Sequence, residues 1–126
     1  MKILMSLLAV LWGIATGHSE PVTEPMSLAE VSRYANAIWY AEGGSWTRFP
    51  YGIKSVYCPN RAYARQVCIR TIQHWWTNWQ LAGKPGDFVK YLADTYCPKA
   101  DDPEGHEHWI KNVHFFYKHP GQPPPT

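Results

Sequence analysis

The stretch Ser27–Tyr57 constrains this chain most, because an acid falls on the apolar stripe of a helix just where that helix must stop. Ser27 and Glu30, three residues apart, form a capping box that starts a helix at Leu28. Val31, Ala35 and Ile38 recur at four- and three-residue steps, and the next place on that stripe is Glu42. Gly43 and Gly44 end the helix, since glycine enters the left-handed conformation at little steric cost. Glu42 is therefore expected as a half-buried acid at a helix C-terminus, beside Ile38 and Trp39, with Trp46 nearby in the following loop. Burial and the negative end of the helix dipole both disfavour the carboxylate, so the group should hold a proton near neutral pH. The competing reading is that the stripe simply ends and Glu42 reaches solvent, the usual fate of an unpaired acid.

Beyond the glycine pair, an aromatic-rich loop leads into Pro50-Tyr51-Gly52-Ile53-Lys54-Ser55-Val56. This order of helix, Glu, glycine pair, loop and Tyr-Gly-Ile-x-Ser-Val resembles the lysozyme-like lytic transglycosylases. Together, AIWYAEGG, PYGIKSV, the helical VCIRTIQ, PGDFVKYLADTYCP and HWIKNV are similar to a group of small bacterial and phage-associated transglycosylase-like proteins. The likeness runs from about Ser27 to Lys118. It implies a mainly α, compact lysozyme-like (α+β) single domain of four to five helices, with a short irregular or β-containing loop region forming a cleft.

The resemblance also implies a chemistry: cleavage of the MurNAc-β-1,4-GlcNAc bond of peptidoglycan, leaving 1,6-anhydro-MurNAc ends. Glu42 would be the catalytic acid and then the base. Tyr51, Gly52 and Ser55 would shape the cleft wall, and Tyr91 and Tyr96 lie where related enzymes use tyrosine to contact substrate or the acid. Two positions depart from the pattern: Ser55 stands where many relatives carry Gln, and Gly43 follows the acid where Ser is commoner. A glycosidase of the ordinary kind needs a second carboxylate across the bond. Ser45–Pro59 contains no Asp or Glu, which fits a single-acid mechanism. A hydrolytic lysozyme of the same fold and an inactive glycan-binding envelope protein remain the alternatives.

The rest of the chain frames that domain. Residues 1–17, with Lys2 ahead of an apolar run and small residues Ala15 and Gly17 at its end, read as a signal peptide. The protein is then exported, periplasmic or secreted, with no stable membrane insertion after cleavage. Residues 18–26 read as a flexible leader, 27–118 as the catalytic domain, and 119–126 as a mobile proline-rich tail. Within the domain, Arg61–Leu81 carries the longest helical pattern and is expected to be the central core helix. Asp87 caps another helix that Pro98 ends, Asp101–Gly105 reads as an acidic turn, and His106–Lys118 returns to helical spacing.

Without Lys2, eleven basic side chains face ten acidic ones, which argues against a nucleic-acid partner. Seven Trp and eight Tyr suit a sugar cleft as well as a core. The expected partner is a peptidoglycan glycan strand, engaged by a monomer, with envelope assembly proteins as further candidates. Three cysteines leave an odd thiol. Cys68–Cys97 is the favoured disulfide, as the resemblance also implies, with Cys58–Cys97 as its rival. His106, His108, His114 and His119 match no metal-binding spacing, so they read as surface histidines and neither metal nor other cofactor is expected.

Overall fold

The computed structural model describes residues 22–125. The signal peptide expected at 1–17, and the export that it implies, lie outside the described residues. Four helices follow in order: α1 (Leu28–Ala41), α2 (Arg61–Leu81), α3 (Phe88–Tyr96) and α4 (Pro103–Lys118). Two short 3-10 turns, Gly44–Trp46 and Pro50–Gly52, stand between α1 and α2. Among the described residues there is no strand, so the β-containing wall is absent and the loop is built from these turns. No described helix is long and apolar enough to cross a membrane.

Each helix begins where its capping residue dictates. Ser27 Oγ accepts from the Glu30 N–H at 3.2 Å, Asn60 Oδ1 from Tyr63 at 2.9 Å, Asp87 Oδ2 from Lys90 at 3.2 Å, and Asp102 Oδ1 from Gly105 at 2.9 Å. The acidic turn expected at Asp101–Gly105 is therefore the start of α4. Asp102 is its cap and Pro103 occupies the first position, where the missing N–H of proline costs nothing.

The centre of the domain is α1, not α2. Val31, Ala35, Ala37, Ile38 and Trp39 are all buried on it, and it packs against α4, α2 and both 3-10 turns. Helix α2 is longer but buries only Ala64, Cys68, Ile72 and Gln80. Its Trp75, Trp76 and Trp79 pack against the core from its edge.

Both flanking segments are docked where they are described. Trp76 Nε1 donates to the Glu24 carbonyl at 2.9 Å, the Glu24 N–H donates to Gln80 Oε1 at 3.2 Å, and Met26 is buried. Residues 22–26 thus lie along the C-terminal half of α2, and residues 18–21 of the expected leader lie outside the described residues. At the other end, the Tyr40 hydroxyl donates to the Gln122 carbonyl and Pro124 is buried, so the tail also lies against the domain.

Candidate active site around Glu42

Glu42 is the residue at which α1 ends: its backbone N–H still donates to the Ile38 carbonyl, and the Gly43 N–H donates to the Tyr40 carbonyl as Gly43 turns left-handed at φ 102°. The side chain is half-buried, as the stripe of α1 implied. Burial lifts its carboxyl above the ordinary carboxylate value, while a hydrogen bond from Trp109 and the charge of Lys54 pull it part of the way back. The donor is Trp109 Nε1, on α4, at 2.8 Å from Glu42 Oε1. In the neutral acid the oxygen that accepts from an N–H is the carbonyl one. The proton is therefore directed to Oε2.

The Pro50–Gly52 turn closes over this carboxyl. A Cβ built on Gly52 would stand 2.4 Å from Glu42 Cδ and within 2.7 Å of both oxygens, so no other residue fits with Glu42 where it is. Gly52 also has φ +70°, a conformation that other residues rarely adopt. Tyr51 beside it has φ 60° and is buried at 1% exposure. Its hydroxyl accepts from Arg65 Nη1 at 3.0 Å, and the same guanidinium reaches Asn36 Oδ1 and Ser32 Oγ on α1, each at 2.9 Å. Tyr51 is thus not a wall residue open to substrate. It anchors the turn to α1 and α2, and Arg65 spends its fork on holding it.

Tyr96 and Cys68 complete the surroundings of the acid. The Tyr96 ring stacks on Trp109 with centroids 5.1 Å apart, and its hydroxyl donates to Cys68 Sγ at 3.4 Å. Burial pushes the Cys68 thiol up to about 12 and raises Tyr96 well above its ordinary value, with the Glu42 charge adding to both shifts. Both groups therefore stay neutral, and the charge felt by Glu42 comes from Lys54.

The other expected residues separate into two sets. Gly52, Ser55 and Tyr96 share one depression of about 120 Å³, lined also by Ile53, Lys54, Val67, Thr71 and Thr95. Ile53 and Lys54 line a second depression of about 410 Å³ with Arg48, Phe49, Pro50, Val56, Tyr57 and Cys58. The first is smaller than an ordinary ligand pocket; Ile53 and Lys54 line both hollows, and Glu42 lines neither. Tyr91 lies apart from both, edge-on to Trp75 at 5.9 Å. Trp46, expected near Glu42, stands 96% exposed. Trp109 takes that place, 67 positions away in the chain.

The expected disulfide is not formed: Cys58, Cys68 and Cys97 are all free. Cys68 faces into the core at 0% exposure and takes the Tyr96 hydroxyl, whereas Cys97 caps the end of α3. His106 is not a surface histidine. It is buried on α4 with Nδ1 2.6 Å from the Cys97 carbonyl, and so ties the end of α3 to α4. No group of three potential metal ligands gathers among the described residues.

The chain finds no significant match among protein-family models, curated proteins or solved structures. The chemistry therefore has to be read from the site alone.

Proposed function

We propose that the protein is a peptidoglycan lytic transglycosylase in which Glu42 acts first as acid and then as base. The observation that carries this reading is a half-buried carboxyl at the end of α1. It is lifted by burial, oriented by the Trp109 N–H and covered by a glycine turn beside an open hollow. Glu42 gives its proton to the glycosidic oxygen as the bond from C1 breaks. The carboxylate then takes the proton of the muramic acid 6-hydroxyl, whose oxygen closes on C1 to give the 1,6-anhydro sugar. The electron pair of the broken bond leaves on the protonated oxygen, and no water is consumed. The loop over the acid offers no second carboxylate for a water-activating or covalent route.

The role of Trp109 follows from the same cycle. Its hydrogen bond is made to both forms of Glu42 and strengthens when the carboxylate appears, so it favours proton release. Gly52, Ser55 and Tyr96 line the hollow beside the turn that covers the acid, where the strand would lie.

The test is Glu42→Gln on cell-wall suspensions. Turbidity clearing should vanish while the helical circular dichroism persists, and clearing at the parent rate would overturn the assignment of Glu42. Mass spectrometry of the parent's released muropeptides then decides the reaction class. Anhydro ends support the transglycosylase and reducing ends support a hydrolytic lysozyme.

A further inference from the structure

Charge is unevenly distributed along this chain. From Gly43 to Gly86 there is no Asp or Glu, yet Arg48, Lys54, Arg61, Arg65, Arg70 and Lys84 all fall there. Among the described residues no Lys or Arg is ion-paired with a carboxylate; the two pairs that form belong to His106 and His114. The first part of this acid-free tract is also where large apolar side chains stand free. Trp46 is 96% exposed, Tyr57 84%, Val56 45% and Phe49 38%. Arg48 and Lys54 each hold their charge 5.6 Å from the Phe49 ring, so cation and ring occupy the same place. Arg48, Phe49, Lys54, Val56 and Tyr57 line the hollow of about 410 Å³.

We propose that the Gly44–Cys58 loop is a peripheral docking surface for an anionic lipid bilayer. Trp and Tyr rings suit the headgroup layer, where an apolar body and a polar tip are both satisfied, and cations beside them meet anionic headgroups. A soluble polyanion would account for Arg48 and Lys54 but not for Trp46 and Val56 left in water. A neutral glycan would account for rings set in a trough, but Trp46 stands nearly free of the protein. A bilayer accounts for both. The inference does not rest on wall cleavage, although Lys54 borders both hollows, so docking would place the lipid surface beside Glu42.

The experiment is co-sedimentation of the full chain with vesicles of phosphatidylcholine alone and of phosphatidylcholine mixed with phosphatidylglycerol. The apolar Ile3–Ala15 stretch, where retained, contributes equally in parent and variants, so the readout is their ratio. Parent protein should partition to the mixed vesicles far more strongly. The pair Arg48→Ala and Lys54→Ala should lower that partition roughly 30-fold at low salt, about fivefold per cation, and the loss should shrink as salt screens it. Trp46→Ser should lower partition at every salt concentration. Equal partition to both vesicle types, or variants that bind as the parent does, would overturn the proposal. So would binding that soluble polyphosphate removes fully while Trp46→Ser leaves it unchanged, because the surface would then read phosphate in solution. Unchanged circular dichroism separates lost docking from lost folding, since all three side chains are exposed.

Discussion

Replacing Gly52 by Ala should cost this protein far more than replacing a glycine of the same backbone geometry elsewhere. Gly52 and Gly86 have nearly identical φ, +70° and +69°. Any alanine there carries about 1–2 kcal/mol of left-handed strain, offset by about 0.4–1 kcal/mol from a stiffer unfolded chain. Those terms are common to both sites. A Cβ on Gly86 meets nothing within 4 Å, whereas on Gly52 it lands 2.4 Å from Glu42 Cδ. The turn is held by the Arg65–Tyr51 bond, so the carboxyl must move and its 2.8 Å bond from Trp109 is lost. Leaving the Trp109 N–H without its partner costs about 1–3 kcal/mol, and that is the expected excess of Gly52→Ala over Gly86→Ala. For a domain of this size the two variants should melt roughly 10 °C apart by calorimetry. In a Glu42→Ala background the excess should collapse, because the obstructing group is gone. Equal costs at the two glycines, or an excess that survives Glu42→Ala, would refute the claim that Gly52 is glycine for the sake of Glu42.

The remaining predictions concern the same cluster. Because burial raises the folded-state pKa of Glu42 above its ordinary value, the folded state keeps this proton where the unfolded chain has released it. Parent stability relative to Glu42→Gln should therefore be greatest below the ordinary carboxylate pKa and decline as pH rises through the folded-state value; a pH-independent gap in denaturant titrations would contradict the assigned burial. Trp109→Phe retains a ring against Tyr96 but removes the donor that favours the carboxylate, so the alkaline limb of the wall-clearing profile should move to higher pH; an unmoved limb would detach Trp109 from the acid. Without reductant, unfolded protein should titrate all three thiols with a disulfide reagent, while native protein leaves Cys68 unreacted, being at 0% exposure and pushed up to about 12. A chain two mass units light with one titratable thiol would restore a bridge, and peptide mapping would then tell Cys68–Cys97 from Cys58–Cys97.

The helices were legible because their determinants are local. Ser27, Asn60, Asp87 and Asp102 each stand three residues before the backbone N–H they cap, a spacing open to reading along the chain. Asp101–Gly105 misleads because the residues that favour turns, Asp, Pro and Gly, also favour the first turn of a helix. Only the register of Trp109, Ile110 and Val113 against the core decides between them. The rank of the helices was not legible either. Length and tryptophan content favoured α2, but centrality depends on how many neighbours a helix packs against, and α1, with Ala35 and Ala37 both buried, meets α4, α2 and both 3-10 turns.

The site divides along the same line. Glu42 could be read because its burial follows from the stripe of its own helix, and Gly43 from the end of that helix. Trp109 could not, since its indole is fixed by how α4 crosses α1. The single clue was that a tryptophan on a buried face needs a partner for its N–H. Tyr51 was misjudged for the opposite reason. Proximity to Gly52 in sequence suggested a shared wall, yet a residue with φ 60° turns its side chain away from its neighbour's path, and here it goes inward to Arg65. A local pattern thus locates an acid that will be buried. What holds it, covers it and sets its proton affinity comes from α4, from α2 and from a turn pinned by an arginine. The same division explains why Trp46, four residues from Glu42 and expected near it in the following loop, is instead exposed.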